Sequence, residues 1–244
     1  MKNIVLLLLI LTFAAPVFAN TLYDSATNTP IGNAKVSIPK YNYSTYTDEN
    51  GNFDLGNIQD TTIMSVQKDG YRPFSLTVNS NTVASHPLVV GIQKSDISDI
   101  VIESGMIHLG DDNYSLSSAN AGNFRLRSAG PALTKNFIIR SSALNSDNYL
   151  VIGSIVGIDT LMARSMGQNR IINSYASPPE VYFNGTKISE IQLNGDNQKI
   201  KLPRNLIIPD RPNQISIRTG RNLLQRAYVD YDDIEVANLS ILSD

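Results

Sequence analysis

Hydrophobic and polar residues alternate in short runs along most of the chain. Ala34, Val36 and Ile38 are separated by Lys35 and Ser37, and Phe74, Leu76 and Val78 by Ser75 and Thr77. The same period of two returns at Phe124 and Leu126, Phe137 and Ile139, Ile215 and Ile217, and Ile234 and Val236. Successive side chains of a strand point to opposite faces, so this spacing predicts strands with one buried and one wet face. No window carries a sustained helical period. Gly157 to Met166 comes nearest, with Ile158, Leu161 and Met162 on one side, but its glycine and β-branched residues limit it to a single turn or a bent strand. Asn50-Gly51, Asp69-Gly70, Asn184-Gly185 and Asn194-Gly195 punctuate the runs, and each pair accepts positive φ at low cost. Short strands cut by such turns predict an all-β chain built of β-sandwiches, not an α/β enzyme.

The first nineteen residues break this pattern. Lys2 precedes an apolar run from Ile4 to Phe13, Pro16 follows, and Val17-Phe18-Ala19 offers a cleavage site, so residues 1–19 read as a secretory signal peptide. The uncharged stretch is shorter than the ~18 residues of a spanning helix, so no membrane span is expected after cleavage. The mature chain is then extracytoplasmic, periplasmic or secreted. It has no cysteine, which removes disulfides, thiolate metal sites and thiol catalysis. Twenty Lys and Arg face 22 Asp and Glu, for a net charge of −2, which leaves no excess to neutralise a nucleic-acid backbone. Alternation is lost in the polar stretch from Lys94 to Ser98, which predicts a linker at 94–98 between a sandwich at 20–93 and a larger one at 99–244.

Three motifs occur in order within the first unit. Thr29-Pro30-Ile31-Gly32-Asn33-Ala34-Lys35-Val36 is followed by Thr47-Asp48-Glu49-Asn50-Gly51-Asn52-Phe53-Asp54-Leu55, and then by Lys68-Asp69-Gly70-Tyr71. Pro30 sets an extended entry to a strand, Asp48 to Gly51 make a tight hairpin turn, and Gly70 permits a reversal before Tyr71. The series resembles the carboxypeptidase regulatory-like domain, a small transthyretin-like sandwich. The resemblance implies an accessory module and no peptidase activity. Tyr41 and Tyr43 are expected on one strand face, packing across the sheet.

The second unit carries Val181-Tyr182-Phe183-Asn184-Gly185-Thr186-Lys187-Ile188, Pro212-Asn213-Gln214-Ile215-Ser216-Ile217 and Asp230-Tyr231-Asp232-Asp233-Ile234-Glu235-Val236. It resembles a galactose-binding-like jelly roll of the kind found in carbohydrate-binding modules, although the chain has no Trp to serve as a sugar platform. First and last strands of a jelly roll are commonly neighbours, which would bring Asp111 and Asp112 towards Asp232 and Asp233. Such hard oxygen ligands suit a structural Ca2+, and the resemblance implies one near the termini. The alternative is an Asx turn at Asp111-Asp112, with Asp232 and Glu235 as solvated strand-end charges.

Motifs for nucleophilic, metalloprotease, phosphate or dinucleotide chemistry are absent from the sequence. His86 and His108 read as structural or surface residues, and any acidic jelly roll offers carboxylate pairs by chance. The chain is therefore expected not to be an enzyme. Arg170, Asn173 and Tyr175 offer a planar cation, an amide and an aromatic face in one loop, the groups that a sugar ring and its hydroxyls require. The leading expectation is a secreted non-catalytic protein that recognises a carbohydrate or cell-surface polymer through its jelly roll. A structural or adhesive component that pairs with other envelope proteins comes next, and a glycosidase-like hydrolase third.

Overall fold

The computed structural model describes residues 20–111, 124–169 and 175–243. The signal peptide expected at 1–19 lies outside them. Fifteen strands are present among the described residues. The first seven are β1 (Asn20–Asp24), β2 (Lys35–Ile38), β3 (Tyr43–Tyr46), β4 (Asn52–Phe53), β5 (Thr62–Gln67), β6 (Phe74–Val78) and β7 (Val89–Ile92). They form a four-stranded sheet, β3-β2-β5-β6, packed on a three-stranded sheet, β4-β1-β7. Alternating Val36, Ile38, Met64, Val66 and Val78 from the first sheet meet Leu22, Phe53, Val90 and Ile92 from the second. The turn at Asp48 to Gly51 is not a hairpin, because β4 pairs with β1, and the turn instead carries the chain from one sheet to the other. Asp48 holds it together, its Oδ1 accepting from the amides of Asn50 and Asn52 at 2.9 and 2.8 Å.

The remaining strands are β8 (Ile100–Leu109), β9 (Ala132–Ile138), β10 (Asn148–Val156), β11 (Glu180–Phe183), β12 (Thr186–Glu190), β13 (Gly195–Lys201), β14 (Pro212–Arg218) and β15 (Ile234–Ser243). They form the sheets β13-β10-β15-β8 and β12-β11-β14-β9. Counted within the domain, the orders are 6-3-8-1 and 5-4-7-2, the interleaving of a jelly roll. First and last strands pair antiparallel, with Glu235 opposite His108. Asn184 and Gly185 both take positive φ, 47° and 82°, as the two-residue turn between β11 and β12 requires. The expected strand at Phe124 and Leu126 is irregular chain instead.

Two short α-helices also form among the described residues: α1 (Ser80–Ser85) and α2 (Leu161–Ser165). The second falls where the single turn was expected. The first was not expected, and a capping box explains it: Asn79 accepts from the amides of Asn81 and Thr82 while Thr82 Oγ1 accepts from Asn79 N. Tyr41 sits in a 3-10 turn, not a strand, and its hydroxyl accepts from Asp60 N at 3.0 Å.

The two sandwiches cover each other's outer faces. Alternation along β5 and β6 predicts a wet side at Ser65, Ser75 and Thr77, yet Ser65 and Ser75 are buried. Ile63 of β5 packs with Phe124, Val156 and Ala237 of the jelly roll. Asp196 accepts from the Thr77 amide and hydroxyl and from Ser154 Oγ, at 3.0, 2.8 and 2.6 Å. A bulge in β15 gives Asn238 a positive φ of 55° and aims its amide at Ser65. Gly153 permits the approach, because a Cβ there would lie 2.5 Å from Ser75 Oγ. The connector at 94–98 is tied to the first sandwich: Arg72 grips Asp99 through Nε and Nη2, at 2.7 and 3.1 Å, and Ser95 N donates to Gly70 O.

Candidate functional site

The two sandwiches enclose a cleft of about 310 Å³ where β6 and β7 face β10, β13 and β15. Its apolar floor comes from Phe74 of β6, an edge strand, and from Val151 and Leu242 on the two central strands of the facing jelly-roll sheet. Around this floor stand the hydroxyls of Ser25, Ser75 and Ser240, the amides of Gln93, Asn197 and Asn238, and the cations Arg72 and Lys199. Arg72 is committed to structure, since Nη1 also donates to Gln93 Oε1 at 3.0 Å. Lys199 is exposed, with its ammonium 5.9 Å from the Tyr149 ring centroid. The Ser75 hydroxyl is buried and has no hydrogen-bond partner. A cleft of this size, at a domain junction, with an apolar floor and convergent polar groups, has the makeup of a small-ligand site. The sequence marked Phe74 and Ser75 only as alternating strand positions and none of the lining residues as ligand-binding, because no local pattern places strands of two sandwiches opposite each other. The loss of wet-face polarity at Gly153 and Ala237 was the available signal.

The residues expected to hold calcium are placed differently. Asp111 Oδ2 accepts from Tyr231 N at 3.1 Å, Asp232 Oδ2 from Asp159 N at 3.2 Å, and Asp233 Oδ1 faces His108 Nε2 at 2.9 Å. Asp112 lies outside the described residues. Among the described residues no three His, Asp or Glu side chains group as metal ligands.

Nor are these acids solvated strand-end charges, for Asp232, Asp233 and Glu235 are all buried. Burial drives the Asp232 carboxyl well above the ordinary carboxylate range, and the charges of Asp159, Asp233 and Asp230 push the same way. Burial also raises Glu235 to about 7, against the opposing pull of Lys40 and His108. His108 is itself buried, and its Nδ1 donates to the Leu126 carbonyl at 2.5 Å. Its Nε2 lies against Asp233 Oδ1, equally buried. Among the described residues the cluster is shielded from solvent.

Of the loop expected to bind sugar, Arg170 and Asn173 lie outside the described residues. Tyr175 is half-buried beneath the Arg164 guanidinium, 5.4 Å from the ring centroid. Its carbonyl accepts from Leu223 N at 2.9 Å. The ring is thus already stacked on one face.

Residues 21–102 match the CarboxypepD_reg-like domain family, a span that covers the first sandwich and continues through the connector into β8. None of the curated proteins matches the chain.

Proposed function

We propose that this chain, a CarboxypepD_reg-like sandwich followed by a jelly roll, is a secreted, non-catalytic binding protein that takes a segment of carbohydrate or surface polymer. The single observation that carries the reading is the cleft between the sandwiches, with its apolar floor and ring of hydroxyls and amides. Sugars present hydroxyls that pair with amides and an apolar ring face that packs on side chains such as Phe74. The likeness of the second sandwich to galactose-binding jelly rolls supports the same class of ligand, and Lys199 at the rim favours an acidic sugar. Calcium has no part in this reading. The apolar run before Ala19 supports export to an extracytoplasmic compartment.

The test is an array of neutral and acidic oligosaccharides probed with the mature chain, followed by calorimetry on the best binder. Lys199→Ala should weaken a direct contact roughly ten- to a hundredfold, since hydrogen bonds to charged groups contribute about 1.5–3 kcal/mol. Asn197→Ala should weaken it less, and Tyr175→Ala not at all. Binding that Tyr175→Ala abolishes and Lys199→Ala spares would move the site out of the cleft. An array without any binder would overturn the reading.

A further inference from the structure

At one end of the jelly roll the loops present apolar side chains to solvent. Leu161 of α2 is 69% exposed and Met166 just after it 67%, while Leu223, Leu224, Tyr228 and Val229 project from the 219–229 loop. These positions share one surface. Tyr175 joins them, stacked under Arg164 and bonded through its carbonyl to Leu223 N, and Ala176 bridges to Asn222. Asn222 N donates to Asp230 O at 2.8 Å and closes the base of the loop, so residues 223–229 stand outward.

The charge of this surface is opposite to that of the chain. Segments 161–169 and 219–229 contain Arg164, Arg221 and Arg226 and no Asp or Glu, in a protein of net charge −2. Of the acids at this end, Asp159, Asp230 and Asp232 are buried beneath, and Asp111, half-buried, is bonded to Tyr231 N. Leucine, methionine, tyrosine and valine interleaved with arginine match the two layers of a lipid surface: apolar tips enter the acyl boundary while guanidiniums meet the phosphates. A protein partner would need a matching shape, whereas a lipid surface needs only these two chemistries side by side. No helix among the described residues is long and apolar enough to cross a membrane. We infer that the α2 and 219–229 end of the jelly roll docks the protein on an anionic lipid surface.

The mature chain should float with vesicles of phosphatidylglycerol and phosphatidylcholine and not with phosphatidylcholine alone. Removal of Arg221 or Arg226 by alanine should weaken binding about fivefold each, and more salt should weaken it further. Leu223→Ser with Leu224→Ser should abolish it without shifting the melting curve. The chain has no Trp, so Leu224→Trp supplies a sole reporter whose emission should move to the blue on anionic vesicles only. No flotation, or equal binding to both vesicle types, overturns the inference. So does a dimer in solution that Leu223→Ser dissolves, which would make the patch a contact between copies of this chain.

Discussion

Glu235 offers the sharpest quantitative test of how the sandwiches meet. It occupies the outward face of β15, opposite His108 of β8, and is buried where Lys40 of the first sandwich approaches. Burial holds its carboxyl at about 7, where the unfolded chain has the ordinary 4.5. Below 4.5 both states keep the proton, and Glu235 contributes no pH dependence. Between 4.5 and about 7 the unfolded chain releases its proton while the native state retains it, so stability falls as pH rises. Above that window both states are ionised and the cost is complete. At about 1.4 kcal/mol per pH unit, the full cost reaches roughly 3 kcal/mol. Glu235→Gln keeps the shape and removes the charge. Urea denaturation of both chains across this window should give a variant that equals the parent at the acid end and gains up to about 3 kcal/mol at the alkaline end. Asp232, raised for the same reason, is present in both chains and drops out of the difference. A stability difference that does not change with pH would refute the argument.

Two further outcomes bear on the same junction. Asp196→Ala removes the acceptor shared by Thr77 and Ser154 and should cost about 1.5–3 kcal/mol, read as a fall of several degrees in Tm; an unchanged Tm would show that these bonds do not hold the sandwiches together. Limited proteolysis of the parent should leave the chain uncut between Gln93 and Asp99, and Arg72→Ala, which releases Asp99, should expose that segment to cleavage; a parent nicked there would refute the tie.

The sequence by itself determined many of the strands and turns, those that depend on neighbours only, but not the chain at Phe124 and Leu126, the turn at Tyr41 or the pairing after Asp48. Val36 and Ile38 alternate, so their strand had to bury one face, and Asn184-Gly185 had to turn because both residues tolerate positive φ. The ordered motifs around Pro30, Asp48 and Gly70 identified the first sandwich for the same reason, since each is a local folding device. Even the bulge at Asn238 leaves a trace, a slip in the apolar phase between Val236 and Leu239. Alternation distinguishes two faces but does not say what covers the second. Ser75, His108 and Glu235 occupy positions that read as wet, and only the tertiary structure buries them, by laying one sandwich on the other. The same packing created the cleft and set Asp232 and Asp233 towards different partners. Contacts between residues more than a hundred positions apart, such as Thr77 with Asp196, depend on both folds at once, and no local window of sequence contains both ends of such a contact.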